Sequence, residues 1–165
     1  MKNRMSPTAR YSPPGGGVPA APTLLIAGPV EDGCGPDPVF DQFPWPVQRA
    51  RDCLEVALHL AGRRPCIVVC ERDLADCDWK DVLEVTAALP DPPPVIVTSR
   101  LADEYLWAEV LNLGGFDVLA KPLDKQEVRR VLTFAWEHWI DRAYLAKRPT
   151  ADAGRKGDAA KYSTA

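Results

Sequence analysis

Pro65-Cys66-Ile67-Val68-Val69-Cys70-Glu71-Arg72-Asp73 sets five consecutive apolar residues between a proline and a carboxylate, with no polar alternation. A run of this length, carrying two valines and an isoleucine, reads as a β-strand buried on both faces, as strands are inside parallel sheets. Such a strand needs covering layers above and below, so the flanking segments must supply helices and parallel neighbours. Glu71 falls at the C-terminal end of the strand, the edge at which open parallel sheets place their ligands.

The flanks meet that requirement. Thr23-Leu24-Leu25-Ile26-Ala27 is a second buried run, closed by Gly28-Pro29; Val95-Ile96-Val97-Thr98 is a third, delivering Ser99 at its end; Phe116 to Ala120 is a fourth, ending in Lys121-Pro122. Trp45 to Ala50 reads as a short edge strand, where Pro46 is tolerable because one side lacks ladder partners. Asp52 and Glu55 form a capping-box-like pair opening a helix, with Cys53, Leu54, Val56, Ala57, Leu58 and Leu60 as its apolar stripe and Gly62 as its stop. Asp78 caps a helix from Trp79 to Leu89 whose Trp79, Val82, Leu83, Thr86 and Leu89 share one face. Ala102 to Asn112 is a further helix, stopped by Gly114-Gly115. Between Val30 and Pro44 the glycines and prolines oppose a regular helix, and Val39 to Phe43 predicts at most a turn or short helix laying its rings on the sheet. Strands alternating with helices predict parallel pairing through right-handed crossovers, hence a doubly wound α/β sheet.

Composition bounds the function. A net charge of −3 and a pI of about 5.4 give no footprint for nucleic acid or an acidic membrane surface, and the longest apolar runs are strand-sized. The Pro/Gly-rich residues 1–21 and the polar residues 148–165 read as disordered tails around one domain at 22–147. Five cysteines without a CxxC pair, in a chain with no signal peptide, point to a reducing cytoplasm. Cys66, Cys70 and Cys77 read as small core thiols, and Cys34 as an inert loop cysteine. Neither His59 nor His138 has a second ligand at metal spacing, and the glycines from Gly28 to Gly35 lack the spacing of a phosphate cradle.

The block Pro94-Val95-Ile96-Val97-Thr98-Ser99, followed by Val110-Leu111-Asn112-Leu113-Gly114-Gly115-Phe116-Asp117-Val118-Leu119-Ala120-Lys121-Pro122-Leu123, resembles the response-regulator receiver domains of two-component signalling. The resemblance covers about residues 22–140 and implies a flavodoxin-like, five-stranded sheet of order 2-1-3-4-5. It places Lys121 as the phosphoryl-contacting lysine and Ser99 as the hydroxyl that turns toward it. It puts Glu71 at the phosphoacceptor aspartate and Ala27 and Gly28 at the metal-binding acidic pair. Val118 stands where receivers often carry an aromatic switch residue. The implied Mg²⁺ site is lost, because an apolar strand end offers no carboxylate. Asp73, beyond the strand end and without metal ligands, is a poor substitute acceptor. The expected protein is a stand-alone pseudo-receiver in a phosphorelay, not an enzyme, working through protein contact without the usual aspartyl phosphorylation. Glu71, one methylene longer than aspartate, either reaches Lys121 and imitates part of the phosphorylated state or is a solvated strand-end carboxylate.

Partner contacts are expected at the last helix. Asp124 caps a segment running through Val128, Leu132, Ala135 and Trp139 to about Ala146, far longer than the strands beneath it. Its overhang carries Ile140, Tyr144 and Leu145, and Phe134 lies off the core stripe. With Trp107 and Trp136 these form the expected interface, for a histidine kinase, another signalling protein or a second copy. The alternative is a small-molecule binder or enzyme on the same fold, using Glu71, Ser99 and Lys121 in the crevice at the strand ends.

Overall fold

The structure, a computed structural model, describes residues 22–29 and 38–146. The two expected tails and the loop glycines around Cys34 lie outside the described residues. Five strands, β1 (Leu24–Ala27), β2 (Val47–Ala50), β3 (Ile67–Glu71), β4 (Val95–Ser99) and β5 (Asp117–Ala120), form one parallel sheet in the order β2-β1-β3-β4-β5. Among the described residues four α-helices accompany them: α1 (Cys53–Arg63), α2 (Trp79–Ala87), α3 (Glu104–Asn112) and α4 (Lys125–Ala146). The expected flavodoxin-like α/β order is present.

The two-residue period of the strands divides the core in two. Leu25, Ala27, Val68, Cys70, Val95, Val97 and Val118 face α1, α2 and α3. Leu24, Ile26, Ile67, Val69, Ile96 and Leu119 face Val128, Val131, Leu132 and Ala135 of α4. Where the sequence opposes a regular first helix, a 3-10 turn at Pro38–Gln42 lays Phe40, with Phe43 just beyond it, on this second face. With no polar side and two covered faces, β1, β3 and β4 bury every side chain except that of Glu71 at the end of β3.

Local signals fix the helix starts. Glu55 N donates to Asp52 Oδ1 at 2.8 Å, but the Glu55 carboxylate accepts from Arg51 N at 2.9 Å and from its guanidinium, so the reciprocal bond falls one residue earlier than in a capping box. This pairing with Arg51 holds the Glu55 carboxyl below its ordinary range and the Arg51 guanidinium above its own. At α2 the box is complete, with Asp78 capping and Asp81 returning the bond.

Four expectations change. Helix α1 runs through Gly62 to Arg63, and Arg64 takes the left-handed position at φ 40°. Leu54 and Leu58 are exposed, because at 100° per residue they turn away from the buried Val56 and Leu60. Ile140 is buried, since the α2–β4 loop reaches the end of α4, where Arg142 donates to Pro92 O at 3.3 Å. Cys77 is not a lone core thiol: it forms a disulfide with Cys53, which packing of α1 against the β3–α2 loop brings to a Cα–Cα distance of 6.3 Å. Cys66 and Cys70 are free and buried, as expected.

Candidate functional site at the strand ends

Parallel strands all finish at one edge, so β1, β3, β4 and β5 deliver Ala27, Glu71, Ser99 and Lys121 to the same rim. The register makes Ala27 the partner of Cys70, Glu71 of Thr98, and Ser99 of Ala120, with Lys121 next. Lys121 is held there by its own backbone, which donates N–H to Ser99 O at 2.9 Å, and its bond to Pro122 is cis.

Lys121 Nζ forms an ion pair with Glu71 Oε1. Strand β4 lies between the two, so the side chains bridge two strand spacings, on the order of 10 Å. Both are mostly enclosed, at 23 % and 18 % side-chain exposure, where solvent screens less than at an open surface. Partial enclosure leaves each charge dependent on the other, since either one alone would sit poorly solvated.

Ser99 is buried and already engaged: its Oγ accepts from Leu101 N at 3.0 Å, closing the turn after β4. Thr98, one residue earlier, directs its hydroxyl back across the sheet to Cys70 O at 3.5 Å. Ala27 and Gly28 are buried, and Gly28 contributes only a backbone N–H, donated to Ala50 O at 3.0 Å. Val118 is buried in the α1–α3 core. Asp73 is exposed, 3.8 Å from the Arg72 guanidinium and facing Asp78 across an isolated antiparallel bridge.

These residues do not fit the Mg²⁺ site that the resemblance implies. Among Ala27, Gly28, Glu71, Ser99 and Lys121 the side-chain oxygens are those of Glu71 and Ser99, one facing an ammonium and the other bound to an amide, whereas Mg²⁺ takes its oxygen ligands in an octahedron. Glu31 and Asp32 follow β1 in the sequence but lie outside the described residues.

Among the described residues a cleft lies away from this rim. A cavity of about 250 Å³ opens between α2 and α3, lined by Arg72, Asp78, Lys80, Tyr105 and Glu109 among others, and does not include Glu71, Ser99 or Lys121. Lys80 and Glu109 bridge its two helices at 2.5 Å, and hydrogen bonding to Glu109 raises the Lys80 ammonium above its ordinary value.

The expected interface residues divide. Trp107, Phe134 and Tyr144 are about half exposed. Trp136 is half-buried against the core and stacked on Trp139, and Ile140 is buried. Sequence reasoning missed Tyr105, the most exposed large hydrophobic side chain among the described residues at 87 %, and Leu111. Trp107 Nε1 donates to Asp117 Oδ1 at 3.3 Å, and Phe116 packs on His138 at 5.5 Å, so α3, β5 and α4 form one continuous face.

No protein-family model matches the chain, and no curated protein sequence matches it. Solved structures do. The signal receiver domain of an HD domain-containing protein from Pseudomonas fluorescens shares 22 % identity over 79 % of this chain and 98 % of its own, with a TM-score of 0.65. The receiver domain of a Francisella response regulator shares 19 % over 71 % and 98 %, with a TM-score of 0.61. The receiver domain of a modulated diguanylate cyclase from Desulfovibrio desulfuricans shares 19 % over 74 % and 98 %, with a TM-score of 0.59. The sheet order, the rim lysine and these likenesses agree: this chain has the fold of the response-regulator receiver domains.

Proposed function

We propose that this chain is a receiver-like signalling module that acts through protein contact, in the cytoplasm, with its strand-end site held by an internal ion pair in place of aspartyl phosphorylation. The observation that carries this reading is the Lys121–Glu71 pair. In the receiver fold the rim lysine is the cation that meets a phosphoryl group; here a carboxylate of the same chain already meets it. A glutamate carries its carboxylate one methylene further from the strand than an aspartate would.

The module works by binding and not by catalysis. Its partner, a histidine kinase or another signalling protein, meets the α3–β5–α4 face, where Trp107, Leu111 and Phe134 offer rigid aromatic and aliphatic anchors. The decisive experiment is intact-protein mass spectrometry after incubation with acetyl phosphate and Mg²⁺, with Glu71→Asp alongside. The unaltered chain should gain no phosphoryl group. A stoichiometric adduct on it would overturn the proposal.

A further inference from the structure

Cys53 opens α1, and Cys77 stands immediately before Asp78, the N-cap of α2, so their bond ties two helix N-termini together across 24 residues. Asp76 lies beside Cys77, and its Oδ1 accepts a hydrogen bond from Cys53 N at 3.0 Å. The two sulfurs and an Asp76 carboxylate oxygen all lie within 4.8 Å of one another. Asp76 is exposed and both cysteines are half-buried, so the group is open to solvent on one side.

This is a ligand set, not only a crosslink. Sulfurs on one zinc ion, each at ~2.3 Å, stand about 3.7 Å apart, a separation that cysteines with Cα atoms 6.3 Å apart can span as readily as a covalent bond. One Asp76 oxygen is fixed by the Cys53 amide, which orients the carboxylate and leaves the second oxygen for a cation. Asp52 and Asp78 are committed to helix amides, Glu55 N in one case and Lys80 N and Asp81 N in the other, so they hold the turns that carry the cysteines. Once the disulfide opens and a cation displaces the two thiol protons, two thiolates and Asp76 bring three negative charges to one spot already flanked by Asp52 and Asp78, and the partial positive charge of two helix N-termini offsets only part of it.

We propose that Cys53, Cys77 and Asp76 form a redox-gated binding site for a thiophilic divalent cation of the zinc type, closed as the disulfide and opened by reduction. A dithiol reductant supplies two electrons and two protons to the S–S bond, which breaks into two thiols while the reductant leaves as its own disulfide. The cation then binds both sulfurs and displaces their two protons to solvent, with Asp76 as third ligand and water as fourth. Either linkage, covalent or metal, joins α1 to the loop that starts one residue after Glu71. Only the reduced, metal-free form releases that loop. A reversible disulfide is also the kind that a reducing cytoplasm permits.

The test uses the full chain, reduced with a phosphine, desalted without oxygen and titrated with Co²⁺. One equivalent should produce a thiolate-to-cobalt charge-transfer band and tetrahedral visible bands, removed by Zn²⁺. The oxidised chain, whose Cys53 and Cys77 peptides should be recovered crosslinked, should give neither. Cys53→Ser with Cys77→Ser should abolish the bands, and Asp76→Asn, an exposed change that leaves the core intact, should weaken binding about tenfold or more. Absence of the charge-transfer band from the reduced chain, or its full retention in the double serine variant or in Asp76→Asn, would overturn the assignment. So would free thiols at both positions in the air-oxidised chain.

Discussion

Lys121 and Glu71 belong to strands that do not touch. Glu71 ends β3, Lys121 follows β5, and their ion pair passes over the end of β4 beside Ser99. The cation of this sheet edge is thereby met by a carboxylate of the same chain. The cation, the carboxylate and the hydroxyl of the rim each have a partner supplied by the fold.

If Glu71 is what shelters Lys121, removing its charge should expose the amine. In Glu71→Gln, acylation of Lys121 by a small lysine reagent, followed by peptide mass spectrometry, should run several-fold faster than in the unaltered chain. An unchanged rate would show that the carboxylate is not what protects it.

Ser99 supports the rim through its bond from Leu101 N. Ser99→Ala should cost about 1 kcal/mol, the net worth of one such hydrogen bond, read as a lower denaturation midpoint with unchanged slope.

Gly115 accepts no side chain. Its amide donates to Val110 O at 2.8 Å, and a Cβ there would lie 2.4 Å from Val110 Cγ1 and 3.0 Å from Val110 O. Gly115→Ala should destabilise by about 1–3 kcal/mol through overpacking at the α3–β5 turn. Gly114, at φ 94°, meets no such atoms, and its replacement by alanine should cost through backbone strain alone.

Burial pushes the Cys70 thiol up to about 12, and burial likewise raises Cys66. Unfolded cysteines ionise near ~8.5. Above that pH the unfolded chain has shed protons that the native chain keeps, so the contribution of these two thiols to stability should be level below about pH 8 and fall as pH rises toward 10. Denaturant unfolding across this range checks the slope, which Cys70→Ala should reduce. A thiol reagent at pH 8 should leave both cysteines unmodified in the native chain.

Most of the architecture was legible because buried parallel strands announce themselves as short unbroken apolar runs, and Asp52, Asp78 and Asp124 mark helix starts by a chemistry local to each. The rim residues were legible for the same reason, as Glu71, Ser99 and Lys121 are the polar residues that stand where such runs end. Their pairing was open, since it depends on side-chain reach across β4. The Cys53–Cys77 bond could not be read: it joins an α1 residue to a loop residue 24 positions on, without CxxC spacing, and only the packing of α1 against that loop creates it. Leu54 and Leu58 misled because α1 is apolar on its outer face too. Ile140 misled because helix length was compared with the sheet alone, whereas the loop through Pro92 also meets that end of α4.

Glu71 and Lys121 each depend on the other's charge, and a double-mutant cycle measures that dependence. Glu71→Gln, Lys121→Met and the double variant should be unfolded by urea under one set of conditions. For a mostly enclosed, charge-assisted pair the coupling should be about 1–2 kcal/mol, the double variant losing less stability than the two single losses combined. Losses that add to within about 0.3 kcal/mol would contradict the account, because two residues that merely share a rim, without holding each other, behave independently.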